Sequence, residues 1–133
     1  MILENEKFIQ KEIAHIKEIL ELFFELGESF GVVARTSEVK FDPELPSEVS
    51  AGFIKKPVIF FELENYTLSS AHIQKDDLKF EAGFGSEDFA AVVSIPLYAI
   101  MELVQANTPV AVNLAKIDSE WIKKERSRRI FAR

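Results

Sequence analysis

The chain has no cysteine, which removes disulfides, thiolate metal ligands and a cysteine nucleophile together and fits a reducing compartment. Tryptophan occurs once and tyrosine twice, against twelve phenylalanines. The aromatic content is therefore almost wholly of the kind that packs as core and carries no polar handle. No uninterrupted apolar run approaches the roughly 18 residues of a membrane span, and the opening Met1-Ile2-Leu3-Glu4-Asn5-Glu6-Lys7 puts acids where a signal peptide carries bases. A soluble, cytoplasmic protein is the expectation. There is no internal repeat and no low-complexity stretch.

What is present suits one domain. At 133 residues a chain buries roughly two-thirds of the surface exposed on unfolding, enough for one core without staples. Apolar residues make up 47% and charged residues 29%, ordinary for a globular protein. The net charge of -6 is unevenly spread. Residues 123–133 hold six of the 16 basic residues and one of the 22 acids, so the rest of the chain is strongly acidic. An acidic body repels phosphate backbones, and no nucleic-acid partner is expected. A basic end on such a body serves contact with another protein or folds back on its own domain.

The first segment is the clearest helix. Ile9, Ile13, Ile16, Leu20 and Phe23 recur at steps of four and three and form one stripe, with Asn5 as N-cap and Gly27 as stop. Ile19, Phe24 and Leu26 widen the apolar face, so that one side can dock on a sheet while Ile9, Ile13, Ile16 and Leu20 meet a partner subunit. Residues 31–41 read as extended, 42–47 as a proline-broken bend, 49–54 as a strand and 58–63 as a strong strand. After a polar connection at 65–70, residues 71–74 and 78–84 flank Lys75-Asp76-Asp77 as a hairpin, with Phe80, Ala82 and Phe84 on one face. A strand follows at 89–95. Pro96 opens a short helix over 97–105, and 110–114 form the last strand. Asp118 or Ser119 caps a charged helix or precedes a loose tail. Consecutive strands joined by tight turns imply an antiparallel sheet, hence α+β.

Chemistry-bearing patterns are scarce. His15 and His72 have no chelating spacing and read as structural or surface residues. Glu18, Glu21 and Glu25 form a solvated helix face, and Asp76-Asp77 and Glu87-Asp88 mark turns. Gly83-Phe84-Gly85 lacks the pattern and context of a phosphate loop, and no Gly-x-Ser-x-Gly elbow is present. No catalytic residue, metal site or cofactor is expected.

Leu78-Lys79-Phe80-Glu81-Ala82-Gly83-Phe84-Gly85, followed by Val93-Ser94-Ile95-Pro96-Leu97, resembles the core signature of the SspB (stringent starvation protein B) family. Leu45-Pro46 falls where that family bends before its second strand. The likeness covers residues 45 to 115 and rests on the order and spacing of the motifs. The resemblance implies an adaptor domain over 1–115, with the N-terminal helix packed on a strongly bent, Sm-related antiparallel sheet or partial barrel. It implies a homodimer that captures ssrA-tagged or other degron-bearing proteins in a peptide groove. It also implies a tail over 116–133 that docks on the ClpX unfoldase of the ClpXP protease, raising the effective concentration of the tethered substrate.

By position, the resemblance assigns peptide binding to Phe80, Ala82, Phe84, Gly85 and Ser86. Ala82 is the small residue at the centre of the groove strand. It assigns unfoldase docking to Arg128, Arg129, Ile130, Phe131 and Arg133. The sequence departs from the family in having only residues 115–127 between the last strand and that peptide, a turn over 85–92 about two residues longer, and a longer first helix. Three other readings stay open: a module of the same fold for another peptide or a nucleotide, an interaction subunit using the N-terminal helix, and a small enzyme with a copurifying cofactor.

Overall fold

The computed structural model describes residues 1–131. Helix α1 (Glu6–Leu26) begins where Asn5 Oδ1 accepts hydrogen bonds from the backbone N–H of Lys7 (2.9 Å) and Phe8 (3.2 Å). Those are two of the donors that a helix start leaves orphaned. It ends at Gly27, whose left-handed φ of 67° lets its N–H reach back to the carbonyls of Phe23 and Phe24. Both ends fall where the sequence puts them.

Eight strands follow in two sheets: β1 (Phe30–Arg35), β2 (Lys40–Asp42), β3 (Val58–Leu63), β4 (His72–Gln74), β5 (Asp77–Phe84), β6 (Phe89–Pro96), β7 (Ile100–Gln105) and β8 (Thr108–Val112). All pairings are antiparallel, in the orders β3-β1-β7-β8 and β2-β6-β5-β4. Among the described residues, two short helices, α2 (Ser47–Ser50) and α3 (Asn65–Ser70), and the longer α4 (Ser119–Phe131) in the tail complete the fold. The fold is α+β, and among the described residues the strands close no barrel.

The two sheets are one ladder bent at a corner. β1 runs into β2 through a 3-10 turn at Thr36–Glu38, and β6 runs into β7 through another at Leu97–Ala99. Ala34 pairs with Ile100 on one side of the corner and Lys40 with Ser94 on the other, so both strands turn at the same level. The inner faces then look at each other across the core. Phe61 of the first sheet meets Phe80 of the second edge-on, with ring centroids 5.3 Å apart. Phe23 of α1 stacks on Phe30 at 4.4 Å and 12°, the kind of contact expected from a phenylalanine-rich core.

Two hairpin turns are of the two-residue kind. Lys75 and Asp76 (φ 50° and 63°) join β4 to β5, and Ala106 and Asn107 (φ 51° and 61°) join β7 to β8. Positive φ at both central residues matches the twist of the flanking strands. At one edge of the first sheet, Val58 and Phe60 of β3 are exposed. The Phe60 ring lies over Gly31, where a Cβ would sit only 2.5 Å from it.

Several sequence expectations need correction. The helix placed at 97–105 is a single 3-10 turn followed by β7, because this apolar run is buried between β1 and β8 and ladder pairing overrides helical propensity. The strand placed at 49–54 is α2 and its following turns, with Phe53 partly buried against Phe41 at 5.7 Å. The extended run at 31–41 is broken by the corner, and the polar connection at 65–70 is α3. The stripe assigned to a partner subunit is used within the chain: Ile9, Ile16 and Leu20 are buried in the core and Ile13 packs against it.

That burial gives the stripe a different mutational signature from an interface. Ile16 is fully buried, so Ile16→Ala should lower unfolding stability by about 2–5 kcal/mol. Urea denaturation checks this; an unchanged midpoint would show that the stripe is not core.

Candidate functional site

The outer half of β5 is the part of the sheet least covered by its own chain. β4 pairs with it only over residues 77–79. Beyond that point α3 leans on the edge, where Ser70 Oγ accepts the Glu81 N–H (2.9 Å) and donates to the Thr67 carbonyl (2.7 Å). Next to it lies a cleft of about 530 Å³. Its floor is the β5–β6 ladder where the residues are smallest: Gly83 and Ala90 lie on the open face, while Ala82 and Ala91 turn their methyl groups to the core and contribute backbone. Asp42, Pro43, Tyr66, Thr67 and Asp88 form its walls, with Glu81 and Val92 at one end. An adjoining hollow of about 410 Å³ shares Tyr66, Glu81 and Val92 and adds Ser69, Ser70, His72 and Phe80. Both are in the size range of ligand sites.

Tyr66 is 67% exposed and its hydroxyl donates to the Glu81 carboxylate. That bond, then the charge of Glu81, raises the phenol above its usual range. At the other wall, a Cβ at Gly83 would lie 1.7 Å from Asp88 Oδ1, so glycine is what lets the Asp88 carboxylate reach over the strand.

The structure separates the residues assigned to peptide binding. Ala82 lines the larger cleft and Phe80 the hollow beside it. Phe80 is nonetheless almost fully buried, and Phe84 packs edge-on against Phe41 at 5.5 Å, so both act mainly as inner-face core. Gly85 and Ser86 lie in the exposed turn before β6, and Gly85 faces Val49. Sequence reading missed Tyr66, Pro43, Asp88 and Ala90 as wall and floor residues. Alternation along β6 was the signal for Ala90, whereas Tyr66 and Pro43 reach the cleft only through the tertiary fold.

The basic tail is helical and docked. Asp118 Oδ1 accepts the Trp121 N–H and caps α4, Ile122 enters the core, and the Trp121 indole donates to Glu6 at 2.7 Å. Arg126 Nη2 donates to both oxygens of Glu38 at 2.8 Å. Arg129 pairs with Asp77 at 2.7 Å and lies over the Tyr98 ring, 5.3 Å from its centroid. Arg128 pairs with Glu125. Ile130 and Phe131 remain exposed, and Arg133 lies outside the described residues.

Glu38 is the buried charge at the sheet corner. Burial by itself would raise its pKa, but hydrogen bonds from Tyr98 (2.7 Å), Ser37 (3.0 Å) and Arg126, with the charge of Arg126, hold it below the usual carboxylate value. The Tyr98 hydroxyl is pushed up to about 12 by burial and then by Glu38. Among the described residues no group of histidines and acids is arranged to hold a metal ion, and no helix is long and apolar enough to cross a membrane.

These shifts set a pH window. The depressed Glu38 pKa contributes stability that is present above its unfolded value, near 4.5, and is lost as pH falls through the lower folded value. The raised Tyr98 pKa contributes stability present below pH 10 and lost between 10 and about 12. Glu38→Gln should cost about 1–3 kcal/mol at neutral pH and reduce the acid sensitivity of α4. Amide exchange across residues 119–131 at neutral and acid pH measures this; equal protection in both proteins would show that Glu38 does not hold the helix.

The chain matches no protein-family model, and no curated protein matches it.

Proposed function

We propose that this protein is a non-catalytic, SspB-like adaptor that binds unstructured peptide degrons of the ssrA type and delivers their carriers to the ClpX unfoldase. The observation that carries the reading is the open edge of β5 beside a cleft floored by Ala82, Gly83, Ala90 and Ala91. A partly unpaired strand edge takes an extended peptide through main-chain hydrogen bonds, and Gly83 and Ala90 on the open face leave room for the peptide's side chains. The bent antiparallel sheet with an N-terminal helix agrees with the architecture that the sequence resemblance implies.

Delivery falls to α4. Ile130 and Phe131 present an exposed apolar pair at its end, next to the arginines, which is the character of a docking peptide. The homodimer that belongs to this reading uses surfaces other than the buried Ile9–Leu20 stripe.

The reading is tested by anisotropy of a labelled ssrA-type tag peptide titrated with the full chain. Saturable micromolar binding is expected, with a loss of at least about tenfold in Ala82→Gln, equivalent to roughly 1.4 kcal/mol. No binding by the wild-type chain would move the cleft to a different ligand. In a reconstituted degradation assay, Ile130→Asp with Phe131→Asp should abolish the adaptor's stimulation of tagged-substrate degradation while leaving tag binding unchanged. Normal stimulation would show that the helix end is idle in delivery.

A further inference from the structure

The outer face of the second sheet carries its charges in cross-strand rows. Register places Asp42, Val92 and Glu81 side by side, and two residues further along Lys40, Ser94 and Lys79. The two rows are about 7 Å apart, from the rise of an antiparallel strand. The first row is acidic at both ends and the second is basic at both ends.

The basic row is flanked on one side by the tail helix, with Lys40 exposed and Lys79 and Ser94 half-buried. The second half of α4 stands beside it, and hollows of about 660 and 400 Å³ lie between helix and sheet, meeting at Asp77 and Arg129. Lys40 and Ser94 line one and Lys79 the other. Three of the nearby acids are already engaged, Glu38 by Arg126, Asp77 by Arg129, and Glu125 by Arg128 and Arg129, while Asp76 at the rim of the Lys79 hollow forms no ion pair among the described residues. Lys79 Nζ instead donates to Ser94 Oγ at 3.0 Å, and among the described residues neither Lys79 nor Lys40 forms an ion pair. On a chain of net charge -6, this is a cationic spot where Glu38, Asp77 and Glu125 are held by arginines and leave both lysines without an ion pair.

We propose that the row Lys40–Ser94–Lys79, beside α4, is a carboxylate-binding site for an acidic peptide segment of a partner protein. The ammonium groups would each meet a carboxylate oxygen, and the Ser94 hydroxyl, freed from Lys79, would donate a third bond. The neighbouring Asp42–Glu81 row selects the ligand class. A nucleic-acid strand carries charge on every nucleotide and would set phosphates against these two carboxylates. A peptide sets its acid on the lysine row and crosses Val92 with a neutral residue. None of its three residues lines the cleft at Ala82, but the selecting row Asp42–Val92–Glu81 borders that cleft, so the two sites adjoin and are separated by substitutions in each.

The test is anisotropy of a labelled hexapeptide of alternating glycine and glutamate, with the glutamine version as control, titrated with the full chain at low and at physiological salt. Saturable binding of the glutamate peptide alone is expected. Lys40→Glu with Lys79→Glu should weaken it at least about tenfold, and Lys40→Gln with Lys79→Gln should weaken it less. Lys7→Glu with Lys11→Glu on α1, with the same net charge as the first variant, should leave it unchanged, as should Ala82→Gln. No saturation by the wild-type chain, or an equal loss in the α1 variant, would overturn the site. A loss in Ala82→Gln would overturn its independence from the cleft. Displacement of the peptide by an oligothymidylate through the same two lysines would overturn the ligand class. Failure of the tag peptide to bind, with the glutamate peptide still bound, would count against the degron reading alone.

Discussion

The arrangement turns on a carboxylate kept ionised where the sheet bends. Two strands cannot turn a sharp corner together without leaving backbone and side chains to be reconciled at the bend. Here both do so by a 3-10 turn, and Glu38 from one turn accepts the Tyr98 hydroxyl from the other at 2.7 Å. Desolvating a charge costs several kcal/mol unless it is well paired and hydrogen-bonded. Arg126 supplies the pairing from α4. One buried acid therefore ties two sheets and the last helix together, and the site inherits its geometry from that corner. β5 and β6 have their outer face open because the ladder bends away before β7, and α4 reaches that face because Arg126 is held at the bend.

The same arrangement explains why the tail is not a free tether. In the adaptor reading a docking peptide gains from reach, yet Arg129 is held by Asp77 and by the Tyr98 ring, while only the two residues after Arg129 in the described helix stand clear as an apolar pair. Whatever α4 contacts is therefore met at a fixed position relative to the β5 cleft. A rigid mount trades search volume for orientation, the opposite compromise from a long flexible linker.

Much of the fold was legible in the sequence wherever local signals and the global fold agree. The stripe of α1 with Asn5 and Gly27 at its ends, the strong strand at 58–63, and the hairpin around Lys75-Asp76 all follow from period and turn chemistry. The misreadings cluster where an apolar run has no decisive period. Residues 97–105 suit a helix as well as a strand, and only burial between β1 and β8 decides. Residues 49–54 look β-branched and apolar but close a short helix whose Phe53 reaches the core. At the site, Ala82 could be found because a small residue on an aromatic strand stands out. Tyr66 and Pro43 could not, since no sequence spacing relates residue 43 or 66 to residue 82. Likewise the apolar stripe of α1 marks burial but does not say whether the burying surface lies in the same chain.

One remaining feature concerns how the protein stays dispersed. β3 borders its sheet with Val58 and Phe60 exposed, a combination that invites edge-to-edge association between copies. The segment just before it reads Lys55-Lys56-Pro57: two cations that repel their counterparts on an approaching identical edge, and an imino acid with no hydrogen to donate to a growing ladder. These are gatekeepers, placed where a neighbouring strand would have to begin. Three residues outside the core thus stand guard over the exposed edge of the first sheet.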